Sequence, residues 1–254
     1  MVKQRLDKVL VERGLAPSRE RAQALILAGK VLVDGQKIEK AGAPVAEGAA
    51  IRLLGEDLKY VSRGGLKLER ALEHWQIDLS GRTCMDVGAS TGGFTDAMLQ
   101  AGAARAIAVD TGYGQIDATL RNDPRVRLLE RTNARHLTVE QVAPLADAPV
   151  SFVAMDVSFI SATLVLPAVV RTVLALGAAE LELVVLVKPQ FEAGREAVGK
   201  GGIVRDPAAR AAAIKRVREA VEALGGTKLD VIDSPITGAE GNQEFLLHAV
   251  YSAI

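Results

Sequence analysis

The 254-residue chain has one cysteine, Cys84, which excludes an internal disulfide. It sits in an apolar run and reads as a buried thiol. No stretch approaches the roughly 18 consecutive apolar residues of a membrane-spanning helix, and no membrane partner is expected. Met1-Val2-Lys3-Gln4-Arg5 leads into a charged amphipathic pattern rather than an apolar signal core. No secretory leader is therefore expected, and the expected location is the cytoplasm. His74, His136 and His248 are scattered, without metal-ligand spacing, so no metal is expected. Net charge is also absent, with 31 Lys/Arg against 31 Asp/Glu, but the distribution is uneven. Residues 1–70 hold 14 basic against 9 acidic side chains, and the remainder holds 17 against 22. A basic front piece on an acidic body points to a polyanionic partner.

Two common ligand loops are missing as well. In Asp86-Val-Gly-Ala-Ser-Thr-Gly-Gly-Phe-Thr-Asp96 an apolar run ends in an acid, turns through glycines and restarts as a helix. Such a strand–loop–helix junction is where an open α/β sheet binds a nucleotide-like ligand. Gly88 is followed by Gly92 and Gly93, which is not dinucleotide spacing, and no lysine follows Gly93 to make a phosphate loop. An acid opening the loop repels pyrophosphate and suits a cation. S-adenosylmethionine, with its ammonium and sulfonium, fits. Asp86, Gly88, Ser90, Thr91, Gly92, Gly93 and Phe94 are the expected contacts; a tight turn with no ligand is the alternative.

Taken in order, Leu6, Val9, Leu10 and Arg13 recur at helical spacing over 4–13, and Gly14 stops that helix. Ser18 caps a second helix over 19–28, with Leu25, Ile26 and Leu27 on its apolar face and Gly29 at its end. Lys30 to Ile38 reads as a hairpin around Asp34-Gly35, and Val45 to Leu54 as a further strand. Arg5, Lys8, Arg19, Arg21, Lys30 and Lys37 give this piece its charge, either as an RNA face or as a solvated one. A first domain is expected over 1–58, a linker over 59–62 and a larger domain over 63–254. Ser62 is expected to cap the helix that carries Lys67, and Gly64-Gly65 at its start implies a close neighbour. Strands and helices then alternate to the end, predicting a mostly parallel seven-stranded α/β sheet with helices on both faces.

Polar residues fall at the strand ends: Asp86, Asp110, Asp156 and Lys188. Asp110 lies 24 residues past Asp86, near the spacing of about 20 that places an acid on a ribose diol; Asn133 is placed to meet an adenine edge. After the fourth strand the chain reads Asp156-Val-Ser-Phe-Ile160, without the Pro-Pro of an amino-methylating enzyme, and the lone cysteine is misplaced for cytosine-C5 chemistry. What remains is Lys67, Asp156, Lys188 and Glu244. The set suits a ribose 2′-hydroxyl, a poor nucleophile that needs a base. A lysine taken out of water gives up its proton more readily, and Lys188 is the candidate. General-base help is worth about 10²–10⁴-fold. Lys200-Gly-Gly-Ile-Val-Arg205 reads as a mobile basic loop closing on RNA phosphate, or as a plain surface loop.

Several stretches carry a family resemblance. Arg5-Leu-Asp-Lys-Val-Leu, Ser18-Arg-x-x-Ala22 and Gly29-Lys-Val-Leu-Val-Asp34-Gly35 resemble the S4 RNA-binding domain. Ser62-Arg63-Gly-Gly-Leu-Lys67, the 86–96 loop, Asp110-Thr-Gly-Tyr-Gly-Gln115, Asp156-Val-Ser-Phe-Ile-Ser161, Leu186-Val-Lys188-Pro-Gln-Phe-Glu192, Gly199 to Asp206 and Gly241-Asn-x-Glu244-Phe resemble the TlyA family. The resemblance spans nearly the whole chain. It implies an S4 domain joined to a Rossmann-like, FtsJ-like class I methyltransferase domain. It further implies S-adenosylmethionine-dependent 2′-O-methylation of cytidine in 23S, and in some members 16S, ribosomal RNA, with Lys67, Asp156, Lys188 and Glu244 as the catalytic tetrad. Arg63, Lys200 and Arg205 join the expected RNA contacts. Tyr60 departs from the tryptophan that members often carry before Val-Ser-Arg-Gly-Gly. Competing readings are an RNA-binding assembly factor with a vestigial enzyme domain, a small-molecule methyltransferase, and the haemolysin that the family name also implies.

Overall fold

In the computed structural model, residues 3–16, 18–54, 59–238 and 240–252 are described. The chain divides into two units, 1–57 and 58–254. The boundary expected at residue 58 lies outside the described residues.

In the first unit two helices, Leu6–Glu12 and Arg19–Leu27, pack Leu6, Leu10, Ala22 and Ile26 onto short strands. Ser18 Oγ accepts from Arg21 N at 3.2 Å, capping the second helix. Gly14 and Gly29 end the two helices at φ 67° and 65°, conformations that cost glycine little. Leu27 is not on the inner face: it is exposed, while Ala22, Leu25 and Ile26 turn inward. Gln4 and Arg5 are not helical either; Lys3–Arg5 is a strand pairing with Pro44–Ala46. The strand expected over 45–54 is two pieces. Pro44–Ala46 pairs with the N-terminal strand, and Ile51–Leu53 pairs with Val31–Val33 of the hairpin. A turn at 47–50 separates them. Arg13 steadies that turn by donating to the carbonyls of Ala49, at 2.7 Å, and Glu47.

The larger unit is built on seven strands: β1 (Thr83–Val87), β2 (Arg105–Val109), β3 (Val126–Leu129), β4 (Val150–Met155), β5 (Glu180–Val187), β6 (Thr227–Asp233) and β7 (Phe245–Ser252). Their order is β6-β7-β5-β4-β1-β2-β3, with β7 antiparallel to both neighbours and the others parallel. Alternation along each strand divides the core between two faces. Met85, Val153 and Val185 face helices α3 (Ala162–Ala175) and α4 (Pro207–Ala223). Cys84, Phe152 and Leu186 face α1 (Gly64–Trp75) and α2 (Gly93–Gln100). Asp206 caps α4 with proline at its first position. Sequence order reverses between β1 and β4, which opens a crevice at their carboxyl ends.

Residues 59–62 are part of this unit rather than a free linker. Tyr60 is buried in its core, and Val61 N donates to Asp96 at 2.8 Å. Ser62 does not cap α1: Arg63 holds the capping position, without a side-chain bond. The close neighbours implied by Gly64-Gly65 are protein. A Cβ on Gly65 would stand 2.2 Å from the Tyr60 ring, and one on Gly93 would stand 2.9 Å from Gly65 N. Among the described residues no helix is long and apolar enough to cross a membrane.

Candidate active site

The parallel register brings the polar strand ends level. Val87 of β1 lies opposite Val109 of β2 and Met155 of β4, so Gly88, Asp110 and Asp156 follow side by side. They line a cavity of about 310 Å³ with Ser90, Asn133 and Ser158. Asp110 is held rigidly: Oδ2 accepts from Ser90 N at 2.8 Å and Oδ1 from Gly112 N at 2.6 Å. Asn133 Oδ1 accepts from Arg135 N at 3.0 Å and shapes the following turn. Val109, Ala134, Val157, Ile160 and Val165 add apolar walls to the same cavity. Phe159 stands 92 % exposed at its wall, with φ 64° and its ring 5.6 Å from that of Phe191.

A second cavity of about 180 Å³ shares Gly88, Ser90 and Asp156 with the first, and adds Lys67, Thr91, Gly93 and Phe94. Two lysine–carboxylate pairs meet here. Lys67 on α1 donates from Nζ to Glu244 Oε2 at 2.6 Å, and both are buried. Lys188, the residue after β5, has Nζ 2.5 Å from Asp156 Oδ1 and donates to Ser158 Oγ at 2.6 Å. Lys67 and Asp156 line one cavity, so each pair, spread together over 178 positions of sequence, borders it through one member.

Other expected contacts are placed differently. Asp86 is fully buried and does not line either cavity. Its Oδ2 accepts from Thr95 N at 2.9 Å and Thr95 Oγ1 at 2.6 Å, tying β1 to α2. Removal from water pushes its carboxyl up to about 7, with repulsion from Asp156 and Asp110 adding to the rise. Gly92 faces protein too: a Cβ there would stand 2.3 Å from Leu120. Gly88 matches the expectation of close backbone approach, but the approaching atom is Asp156 O, 2.4 Å from where a Cβ would be. Burial also pushes the Cys84 thiol up to about 12, which leaves it inert.

Among the basic residues, Arg5 and Arg19 both pair with Asp7, at 2.9 and 3.0 Å. This carboxylate has no exposed surface and also accepts from Gln23 at 2.9 Å. Lys37 pairs with Glu39 at 2.9 Å. Lys8 is exposed and Lys30 half-buried, and Arg21 lies in the first turn of the second helix. In the larger unit Arg63, Lys200 and Arg205 are exposed. The segment expected to be a mobile loop is pinned by Asn242, itself buried, which accepts from Val204 N at 2.9 Å and donates to Gly202 O at 2.8 Å. Arg210 adds bonds to Val204 O at 2.9 Å and Gln243 at 2.7 Å. Asn242 and Ser158 were both open to view in the motifs around Glu244 and Asp156. Their roles depend on contacts 30 to 40 residues away. Among the described residues no group of three His, Cys, Asp or Glu side chains is placed to hold a metal.

Two family models match the chain: FtsJ-like methyltransferase over residues 60–251 and S4 domain over residues 4–51. The Bacillus subtilis protein YqxC is 48% identical over 246 residues, covering 97% of this chain and 85% of that protein. The 16S/23S rRNA (cytidine-2′-O)-methyltransferase TlyA of Mycobacterium tuberculosis is 46% identical over 244 residues, covering 96% and 88%. A solved structure from Streptococcus thermophilus, named as a hemolysin, superposes with a TM-score of 0.73 at 40% identity, covering 99% of this chain and 90% of that one. With both domains matched in order and this identity running almost end to end, the chain belongs to the TlyA family of methyltransferases, in which an S4 domain precedes an FtsJ-like domain.

Proposed function

We propose that this protein methylates the ribose 2′-hydroxyl of a cytidine in ribosomal RNA, in 23S RNA and with 16S RNA as a second candidate, using S-adenosylmethionine in the cytoplasm. The observation that carries the reading is the pair of lysine–carboxylate contacts, Lys67–Glu244 and Lys188–Asp156, in a crevice at the strand ends. The relative named as a 16S/23S rRNA (cytidine-2′-O)-methyltransferase supports the choice of acceptor.

The cavity residues fit the cofactor. Asp110 offers carboxylate acceptors suited to a ribose diol, and Asn133 a polar edge suited to adenine, between apolar walls. When bound, S-adenosylmethionine would supply an activated methyl group for the 2′-oxygen, its sulfonium departing as the neutral thioether. Lys188 Nζ takes the hydroxyl proton and later returns it to solvent. Asp156 holds Lys188 and keeps negative charge near the sulfonium. Lys67 and Glu244 fix the ribose beside them. The basic residues of the first unit, with Arg63, Lys200 and Arg205, hold RNA through phosphate and shape.

The test is transfer of labelled methyl from S-adenosylmethionine to separated ribosomal subunits, wild type beside Lys188→Ala. The expected result is label in 23S RNA at a ribose resistant to alkaline cleavage, reduced at least about 100-fold in the variant. Label on a base or on a small molecule would overturn the reading. So would cofactor binding with no transfer to any RNA, which would favour an assembly role.

A further inference from the structure

Lys188 acts as a base only as a neutral amine, which has two N–H donors and a single lone pair. The groups that accept those two N–H bonds decide where the lone pair points. On the Asp156 side, Nζ lies 2.5 Å from Oδ1, yet this buried oxygen accepts no hydrogen bond of ordinary angle. Ser158 supplies the well-formed bond, with Nζ donating to Oγ at 2.6 Å. Asp156 attracts the lysine, and Ser158 gives it direction. Ser158 is exposed and lines the larger cavity.

We propose that Ser158 is a positioning residue for the transfer: its oxygen accepts one N–H of Lys188 and aims the lone pair at the ribose hydroxyl. The inference rests on Lys188 being the base. Ser158 itself makes and breaks no covalent bond, and the proton passes from the hydroxyl to Nζ.

Full-length Ser158→Ala, Ser158→Thr and Lys188→Ala are compared with wild type in steady-state methyl transfer to the large ribosomal subunit. Dissociation constants for S-adenosylmethionine and for the subunit are measured separately. General-base help is worth about 10²–10⁴-fold, and loss of aim forfeits part of it. Ser158→Ala is expected to lower kcat about tenfold, with both KM values and both dissociation constants unchanged. Ser158→Thr, which keeps the hydroxyl, is expected to restore kcat. Wild-type kcat in Ser158→Ala beside an inactive Lys188→Ala overturns the inference and leaves the base assignment standing. A loss that threonine does not restore, or one accompanied by weaker binding, assigns Ser158 to loop structure and overturns it too. Full activity in Lys188→Ala overturns the base assignment and, with it, the inference.

Discussion

Asp86→Asn is expected to stabilise the larger unit, by an amount that grows as pH rises from about 4 to about 7. The carboxyl at the end of β1 has no exposed surface, and one of its oxygens has no partner among the described residues. Burial raises it from 3.8 to about 7 against the opposing bonds from Thr95. Between those values the folded protein holds a proton that the unfolded chain has released. Stability therefore falls as pH rises through that window and is level on either side of it. At about 1.4 kcal/mol per tenfold, the full span comes to about 4 kcal/mol. Relaxation around the unpaired oxygen lowers this, and about 2 kcal/mol is the working expectation. Asparagine keeps the shape and one acceptor for Thr95 but exchanges no proton in this range. Urea unfolding is followed by fluorescence of Trp75, the single tryptophan, which lies in the larger unit. Taking the difference between variant and wild type at each pH cancels the other titrations. The two should be nearly equal below about pH 4, with the variant gaining steadily above it and about 2 kcal/mol more stable at about pH 8. A difference that does not grow with pH would refute the reasoning.

Two further substitutions probe the packing. Asp7→Asn sets an amide against the donors of Arg5, Arg19 and Gln23 and should cost about 1–2 kcal/mol, since both arginines reach water, a large share of what so small a unit has. Hydrogen exchange should quicken over residues 6–12 and 19–27 while 83–87 and 150–155 stay protected; unchanged protection would contradict it. Because Arg5 above all holds the Asp7 carboxyl well below the usual range, this support is complete above about pH 4 and fades only below it. Gly93→Ala puts a Cβ 2.2 Å from Ser62 Oγ and 2.9 Å from Gly65 N. It should destabilise by about 1–3 kcal/mol and weaken S-adenosylmethionine binding by shifting the turn that carries Gly88 and Ser90; calorimetry that finds neither would count against the packing account.

The site was legible where one local fact had a global consequence. In a parallel sheet every strand ends at the same edge, so Asp110, Asp156 and Lys188, each directly after an apolar run, had to arrive together. No such rule covers Gln4 and Arg5. Helical spacing through Leu6, Val9 and Leu10 extends backward without resistance, and only pairing with 44–46, some 40 residues away, makes a strand of 3–5. Glycines were legible only in part, for a related reason. A close approach was readable at 88, 92 and 93, but not what approaches. At Gly92 it is the Leu120 side chain, and at Gly93 the start of α1. Asp86 belongs to the same class: an acid at a strand end can serve a ligand or tie a helix to its strand, and the tie here runs to Thr95, nine residues on.

The two lysine pairs differ in what a substitution there would report. The Lys67 and Glu244 side chains are 10 % and 2 % exposed. Removing either strands a buried charge, which costs a protein several kcal/mol whatever its chemistry. Loss of methyl transfer in Lys67→Ala would therefore mix folding with catalysis. Asp156 is 21 % exposed and borders both cavities, so water can reach it when Lys188 is cut back. The cost to the fold is smaller there and the chemical meaning clearer. Both lysines are buried, but the more exposed carboxylate left behind makes Lys188, rather than Lys67, the residue on which the assignment of the base should stand.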